Sequence, residues 1–143
     1  MAHILLADDH VPIASLLASR LRQRGDTLIW APDGMRALTA VQTCHLNLIL
    51  LDLHLPLLNG LEVLEYLKAD PASRSIPVII LSACDDIVTM RRCFALGASD
   101  YLIKPIWLRE VLIRISAVLL AQAQAAPVMP IVPAVGQPVG WTE

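Results

Sequence analysis

Aromatic residues make up only 4% of this 143-residue chain, and its three cysteines, Cys44, Cys84 and Cys93, include no Cys-x-x-Cys pair. An odd, unpaired set of thiols excludes a disulfide framework, so reduced cysteines in a cytoplasmic protein are expected. Basic charge is also scarce. Eleven Lys and Arg stand against thirteen Asp and Glu, for a net charge of −2 and a pI near 6.0. There is no basic stripe of the kind that tracks a phosphate backbone, and direct nucleic-acid binding is not expected. The opening MAHILLADD meets acids at Asp8 and Asp9 too early for a secretory signal. No apolar run reaches the roughly 18 residues needed to span a bilayer. No internal repeat is visible, and Ile115 to Thr142 carries no charge at all.

What is present is aliphatic. Apolar residues reach 56% and the mean hydropathy is +0.60, supplied largely by leucine and isoleucine. The length suits one domain with a full core. Short apolar runs at His3–Ala7, Thr27–Ala31, Leu46–Leu51, Ile76–Leu81 and Asp100–Ile103 read as buried strands. Between them lie segments of helical spacing. The first carries Ile13, Leu16, Leu17 and Leu21, and a short second runs from Met35 to Thr43. Leu61, Leu64 and Leu67 mark the third, Ile87, Met90 and Phe94 the fourth. The last shows Leu108, Val111, Leu112, Ile115, Val118 and Leu119 on one face. Five strands alternating with five helices predict an α/β fold, a doubly wound parallel sheet covered on both faces by right-handed crossovers. The domain is expected over 1–125. Residues 126–143, with Pro127, Pro130, Pro133 and Pro138, read as a flexible or extended tail, and those prolines would break any spanning helix.

In such a sheet, chemistry gathers beyond the carboxyl ends of the strands, where the winding reverses. Asp8 and Asp9 end the first run, Asp52 the third, Ser82 the fourth and Lys104 the fifth, so five distant side chains are predicted to share one crevice. Three carboxylates in partial burial repel one another and call for a cation, and Mg2+ (or Mn2+) with its oxygen ligands suits them. Lys104 and Ser82 are not needed by a metal cage. A phosphoryl group, with charge over its oxygens, needs both. Asp52 is then the nucleophile of an aspartyl phosphate.

Taken singly these residues have plainer readings. Asp8-Asp9 suits a solvated turn, Ser82 a cap of the next helix with Asp85 as its rival, Tyr101 the core, and Lys104 the surface. His3, His10, His45 and His54 share no metal-ligand spacing. Cys84 lies beside the site as a small residue with no cation near enough to activate it.

In order and spacing, LLADDH, LLDLHLPLLNG, ILSA, GASDY and Lys104-Pro105 resemble the receiver domain of two-component response regulators, over about His3 to Gln124. The resemblance implies a flavodoxin-like sheet of strand order 2-1-3-4-5. It implies Asp52 as phosphoacceptor, charged by a histidine kinase or phosphotransfer protein. It further implies Asp9 as a direct magnesium ligand, Asp8 acting mainly through water, and the His54 backbone carbonyl as a third protein ligand. Ser82 and Tyr101 would be the switch pair, Lys104 the lysine whose ammonium meets the phosphoryl oxygens, with a cis peptide bond to Pro105, and His54 and Cys84 the positions that tune phosphoryl lifetime. Output would leave from the fourth helix, fifth strand and fifth helix.

Some positions depart from that pattern. Leu55 and Leu58-Asn59 are mild changes. In the DNA-binding branch two acids often precede the switch aromatic, but here Ser99 replaces the first, while Asp100, Glu110 and Arg114 remain. Trp107, Ile113, Ala117 and Leu120 form a second apolar stripe on the last helix, which with Glu110 and Arg114 suggests a homodimer face. The function expected is a stand-alone, non-enzymatic regulator acting through an unidentified downstream protein. The alternatives are a receiver portion of a longer regulator and a phosphorylation-independent scaffold of the same fold.

Overall fold

The computed structural model describes residues 1–125. The elements alternate as β1 (His3–Ala7), α1 (Val11–Gln23), β2 (Thr27–Ala31), α2 (Gly34–Thr43), β3 (Leu48–Asp52), α3 (Gly60–Ala69), β4 (Val78–Ser82), α4 (Ile87–Ala95), β5 (Asp100–Ile103) and α5 (Leu108–Ala125). All strands are parallel, in the order β2-β1-β3-β4-β5. The predicted doubly wound fold is therefore the one observed. The expected tail over 126–143 falls outside the described residues.

Strands buried on both faces read as unbroken apolar runs, but a period of two is hidden inside them. Leu5, Ile49, Leu51, Val78 and Ile80 belong to the core beneath α2, α3 and α4. Their neighbours Ile4, Leu6, Leu48, Leu50, Ile79 and Leu81 belong to a second core beneath α1 and α5. β3 is buried at every position, Asp52 included.

Two strand boundaries differ from the sequence reading: β3 and β4 each begin two residues later and end one residue later than the apolar runs suggest. Pro77 has no N–H for a ladder, and its carbonyl receives the Ile49 N–H at 3.0 Å before β4 begins. Asn47 spends its side chain on the His3 N–H at 2.8 Å, so pairing of β3 with β1 starts at Leu48.

The helix faces also needed correction. α1 buries Ala14, Leu17 and Leu21, leaving Leu16 59% exposed, and α4 buries only Cys93, with Ile87 and Phe94 exposed. In α5 the expected face holds, with Val111 and Ile115 buried and Leu108, Leu112, Val118 and Leu119 half-buried against the same core.

Caps fix where the helices start. Asp33 caps α2 through the Arg36 N–H at 2.7 Å, and Asn59 with Glu62 forms a capping box on α3. The cap of α4 is Asp86, which accepts from Val88 and Thr89, and neither Asp85 nor Ser82 takes that role. Among the described residues no helix is long and apolar enough to cross a membrane.

Candidate functional site

The winding of the sheet reverses between β1 and β3, and the carboxyl ends of those strands flank the crevice. Asp8 follows β1 and is fully buried, Asp52 ends β3 almost fully buried, and Asp9 is exposed. One carboxylate oxygen from each of the three lies within 4.8 Å of the others.

The two buried acids are held in the same way. One oxygen of each turns back to its own chain: Asp8 accepts the His10 N–H at 2.9 Å, and Asp52 the His54 N–H at 2.9 Å. Such turns fix the rotamer of an aspartate at a strand end. The second oxygen of each faces Lys104, whose ammonium donates to Asp52 at 2.9 Å and to Asp8 at 3.3 Å. Burial draws the Lys104 pKa down. The hydrogen bond and charge of Asp52, with the charge of Asp8, outweigh that and leave it raised. The Lys104-Pro105 bond is cis, and the Lys104 N–H donates to the Ser82 carbonyl at 2.8 Å, tying β5 to β4 beside the site.

Three carboxylates against one ammonium, which Asp8 and Asp52 share, leave an excess of negative charge at the crevice, with the exposed Asp9 contributing to it. An all-oxygen donor set with that excess fits a hard divalent ion such as magnesium. Asp8, Asp9 and Asp52 would hold it. The His54 side chain is exposed, and its carbonyl lies two residues beyond Asp52.

Ser82 is fully buried, and its hydroxyl accepts the Cys84 N–H at 3.1 Å. Tyr101 lies inward, with its hydroxyl donating to the Cys84 carbonyl at 2.7 Å. The expected switch residues thus hold successive peptide groups of one residue, Cys84, and burial chiefly pushes the Tyr101 phenol up. Removing that hydroxyl in Tyr101→Phe is expected to cost about 1 kcal/mol, the net worth of one hydrogen bond, read as a lower urea midpoint.

Two contributors escaped the sequence reading. The Trp30 indole N–H donates to the Asp8 carbonyl at 2.7 Å, so a β2 side chain steadies the acidic turn from the flank. Its signal was only an aromatic in an edge strand. Gly34 and Gly60 are the other omission as site supports. A Cβ on Gly34 would fall on the Leu58 carbonyl, and one on Gly60 on the Asp52 carbonyl. Arg114 donates to Asp100 at 2.7 Å and approaches Glu110 at 3.8 Å, so these three pair within the chain.

A doubly wound α/β domain with an acidic crevice at its switch point, crossed by a lysine from the edge strand, is the class these features define. The family model for the response regulator receiver domain matches residues 4–116. The chain belongs to that family, the receivers of two-component systems. The DNA-binding response regulator MtrA of Mycobacterium tuberculosis is 38% identical over 114 residues, covering 80% of this chain and 49% of that protein. The alkaline phosphatase synthesis transcriptional regulatory protein PhoP of Bacillus subtilis is 38% identical over 124 residues, covering 87% and 51%. The chain spans about half the length of these relatives. Among solved structures, a Francisella response regulator receiver domain superposes with a TM-score of 0.77 at 30% identity, covering 85% of this chain and 98% of that one.

Proposed function

We propose that this protein is a phosphorylation-dependent signalling domain whose Asp52 accepts a phosphoryl group from a histidine kinase or phosphotransfer protein. The observation that carries the reading is the shared lysine. Lys104 reaches both buried acids, and its 2.9 Å bond to Asp52 places a cation where phosphoryl charge would arrive.

Asp52 has one oxygen tied to the His54 N–H, so its other oxygen attacks phosphorus. The P–N bond of the donor phosphohistidine breaks, and the imidazole leaves with the electron pair. A bound magnesium ion would offset the charge of the phosphoryl oxygens against Asp8 and Asp9. Lys104 turns from the Asp52 carboxylate to a phosphoryl oxygen, and Ser82 exchanges the Cys84 N–H for another. The Cys84 peptide, still held by Tyr101, carries that change into the β4–α4 loop. On this reading the chain turns over no separate substrate and promotes only its own phosphorylation and slow hydrolysis, within the cytoplasm.

Incubation with magnesium and acetyl phosphate tests the proposal: intact mass should rise by one phosphoryl group, and chelation should prevent it. Metal binding has its own readout. Magnesium at about a hundred times its Kd is expected to raise folding stability by about 2.7 kcal/mol, measured by urea unfolding. Asp9→Ala should remove most of that gain.

Signalling through the α4–β5–α5 face is supported by exposed Ile87, Val88 and Ile103. A homodimer through α5 is supported by Trp107, Ile113 and Leu120, which are 73%, 60% and 60% exposed, beside exposed Ala117. Sedimentation at high micromolar concentration, with and without a phosphoryl mimic, would show only monomer if that face is idle. A second reading, a receiver working as one part of a longer DNA-binding regulator, is favoured by the half-length match to MtrA and PhoP. The position of the natural stop codon separates it from a stand-alone regulator.

A further inference from the structure

Beyond the acidic crevice, the surface between α1 and α5 holds a groove of about 420 Å³ lined by Arg20, Arg24, Arg109, Leu112, Ile113 and Ser116. Three guanidinium groups meet there in a protein whose net charge is −2. Arg24 is engaged, donating to the Ser116 hydroxyl at 2.6 Å and lying 4.0 Å from Asp26. Among the described residues, neither Arg20 nor Arg109 has a carboxylate within 4.0 Å. Ile113, 60% exposed, supplies an apolar floor between them. A complementary occupant is therefore both apolar and anionic, with an aromatic face to stack on a guanidinium and a carboxylate to pair with it.

The chain itself carries such a segment. After Arg114 the only charged residue is Glu143, and it stands two positions from Trp141 in PVGWTE. α5 ends at Ala125. Ser116 lies nine residues back along the helix and Arg109 sixteen, roughly 14 and 24 Å at 1.5 Å per residue. The sixteen residues from 126 to 141 can reach roughly 50 Å when extended at about 3.1 Å each, twice the span required. A tether of this length also keeps its end at an effective concentration of about a millimolar, so weak contacts suffice.

We infer that Pro138–Glu143 docks in cis into the α1–α5 groove, with Trp141 against Ile113 and a neighbouring guanidinium, and Glu143 paired with Arg20 or Arg109. The apolar part fixes position and the charge fixes direction. Docking of this kind covers one flank of the exposed α5 stripe, so it competes with association of two copies through Ile113.

Nuclear magnetic resonance on the isotope-labelled chain of residues 1–143 tests the inference. Expected are nuclear Overhauser contacts from the Trp141 indole to the Ile113 methyls, unchanged on tenfold dilution. Glu143→Gln should lower the docked fraction roughly two- to fivefold, the range for one exposed ion pair. Arg109→Glu together with Arg20→Glu should do at least as much, and adding Glu143→Arg to that pair should restore the contacts. High salt should weaken docking of the wild type. Contacts that vanish on dilution, or that cross between differently labelled chains, would assign the groove to a second copy and overturn docking in cis. A Trp141 indole without contacts to the groove at any concentration would overturn it altogether.

Discussion

Asp52→Asn is expected to abolish phosphoryl uptake while leaving the fold in place. The amide has nearly the shape of the carboxylate, and its carbonyl oxygen can still accept the His54 N–H that Asp52 receives at 2.9 Å. What disappears is the nucleophile and the charge that holds Lys104 at 2.9 Å. An amide oxygen does not displace a phosphohistidine or an acyl phosphate, so intact mass after treatment with magnesium and acetyl phosphate should show no added group. Stability should change little. Lys104 keeps Asp8, and the site sheds one of three mutually repelling carboxylates. An unfolded variant would make the experiment uninformative about chemistry, so circular dichroism belongs beside the mass measurement. Equal uptake by wild type and Asp52→Asn would remove Asp52 from the reaction.

Gly60→Ala should unfold or severely weaken the domain. The new methyl would fall on the Asp52 carbonyl and lie 2.6 Å from the Leu53 Cα, both backbone atoms that cannot swing aside. The Gly60 N–H donates to the Leu53 carbonyl at 2.9 Å, and Asn59 caps α3 at the same place, so the helix cannot back away without losing both. Overpacking of this kind costs about 3 kcal/mol or more, a large part of the stability of an ordinary domain. The control is Gly25→Ala. Gly25 has φ +83° and nothing within 4 Å of an added Cβ, so only left-handed backbone strain is incurred, about 1 to 2 kcal/mol. Urea midpoints of the two variants should therefore separate clearly. If Gly60→Ala survives, α3 has shifted against β3, and phosphoryl uptake at Asp52 should slow as well.

The contrast shows what the sequence could and could not disclose. Strand and helix order were legible because leucine-rich runs and helical spacing alternate without ambiguity from His3 to Ala125. The acidic crevice was legible because polar side chains recur at successive strand ends, where a parallel sheet places ligands. Strand starts were less so. Pro77 and Asn47 redirect individual hydrogen bonds, which an apolar count does not register. Leu16, Ile87 and Phe94 were misread because helical spacing gives a stripe but not its width, and α1 and α4 bury narrower stripes than their leucines and aromatics imply. Trp30 and Gly60 act on the site through main-chain carbonyls, contacts set by tertiary approach and invisible to motif or spacing.

The sheet is also a partition wall. Tyr101 and Cys93 lie in the core shared by α2, α3 and α4, whereas α1 and α5 close over a different set of side chains on the far side. A repacking that starts at Cys84 and travels through Tyr101 would have α4 as its immediate neighbour, with the sheet itself standing between it and α1. On the proposed switch, the side with Tyr101 and α4 would be the moving part, and the opposite core under α1 the frame that it moves against.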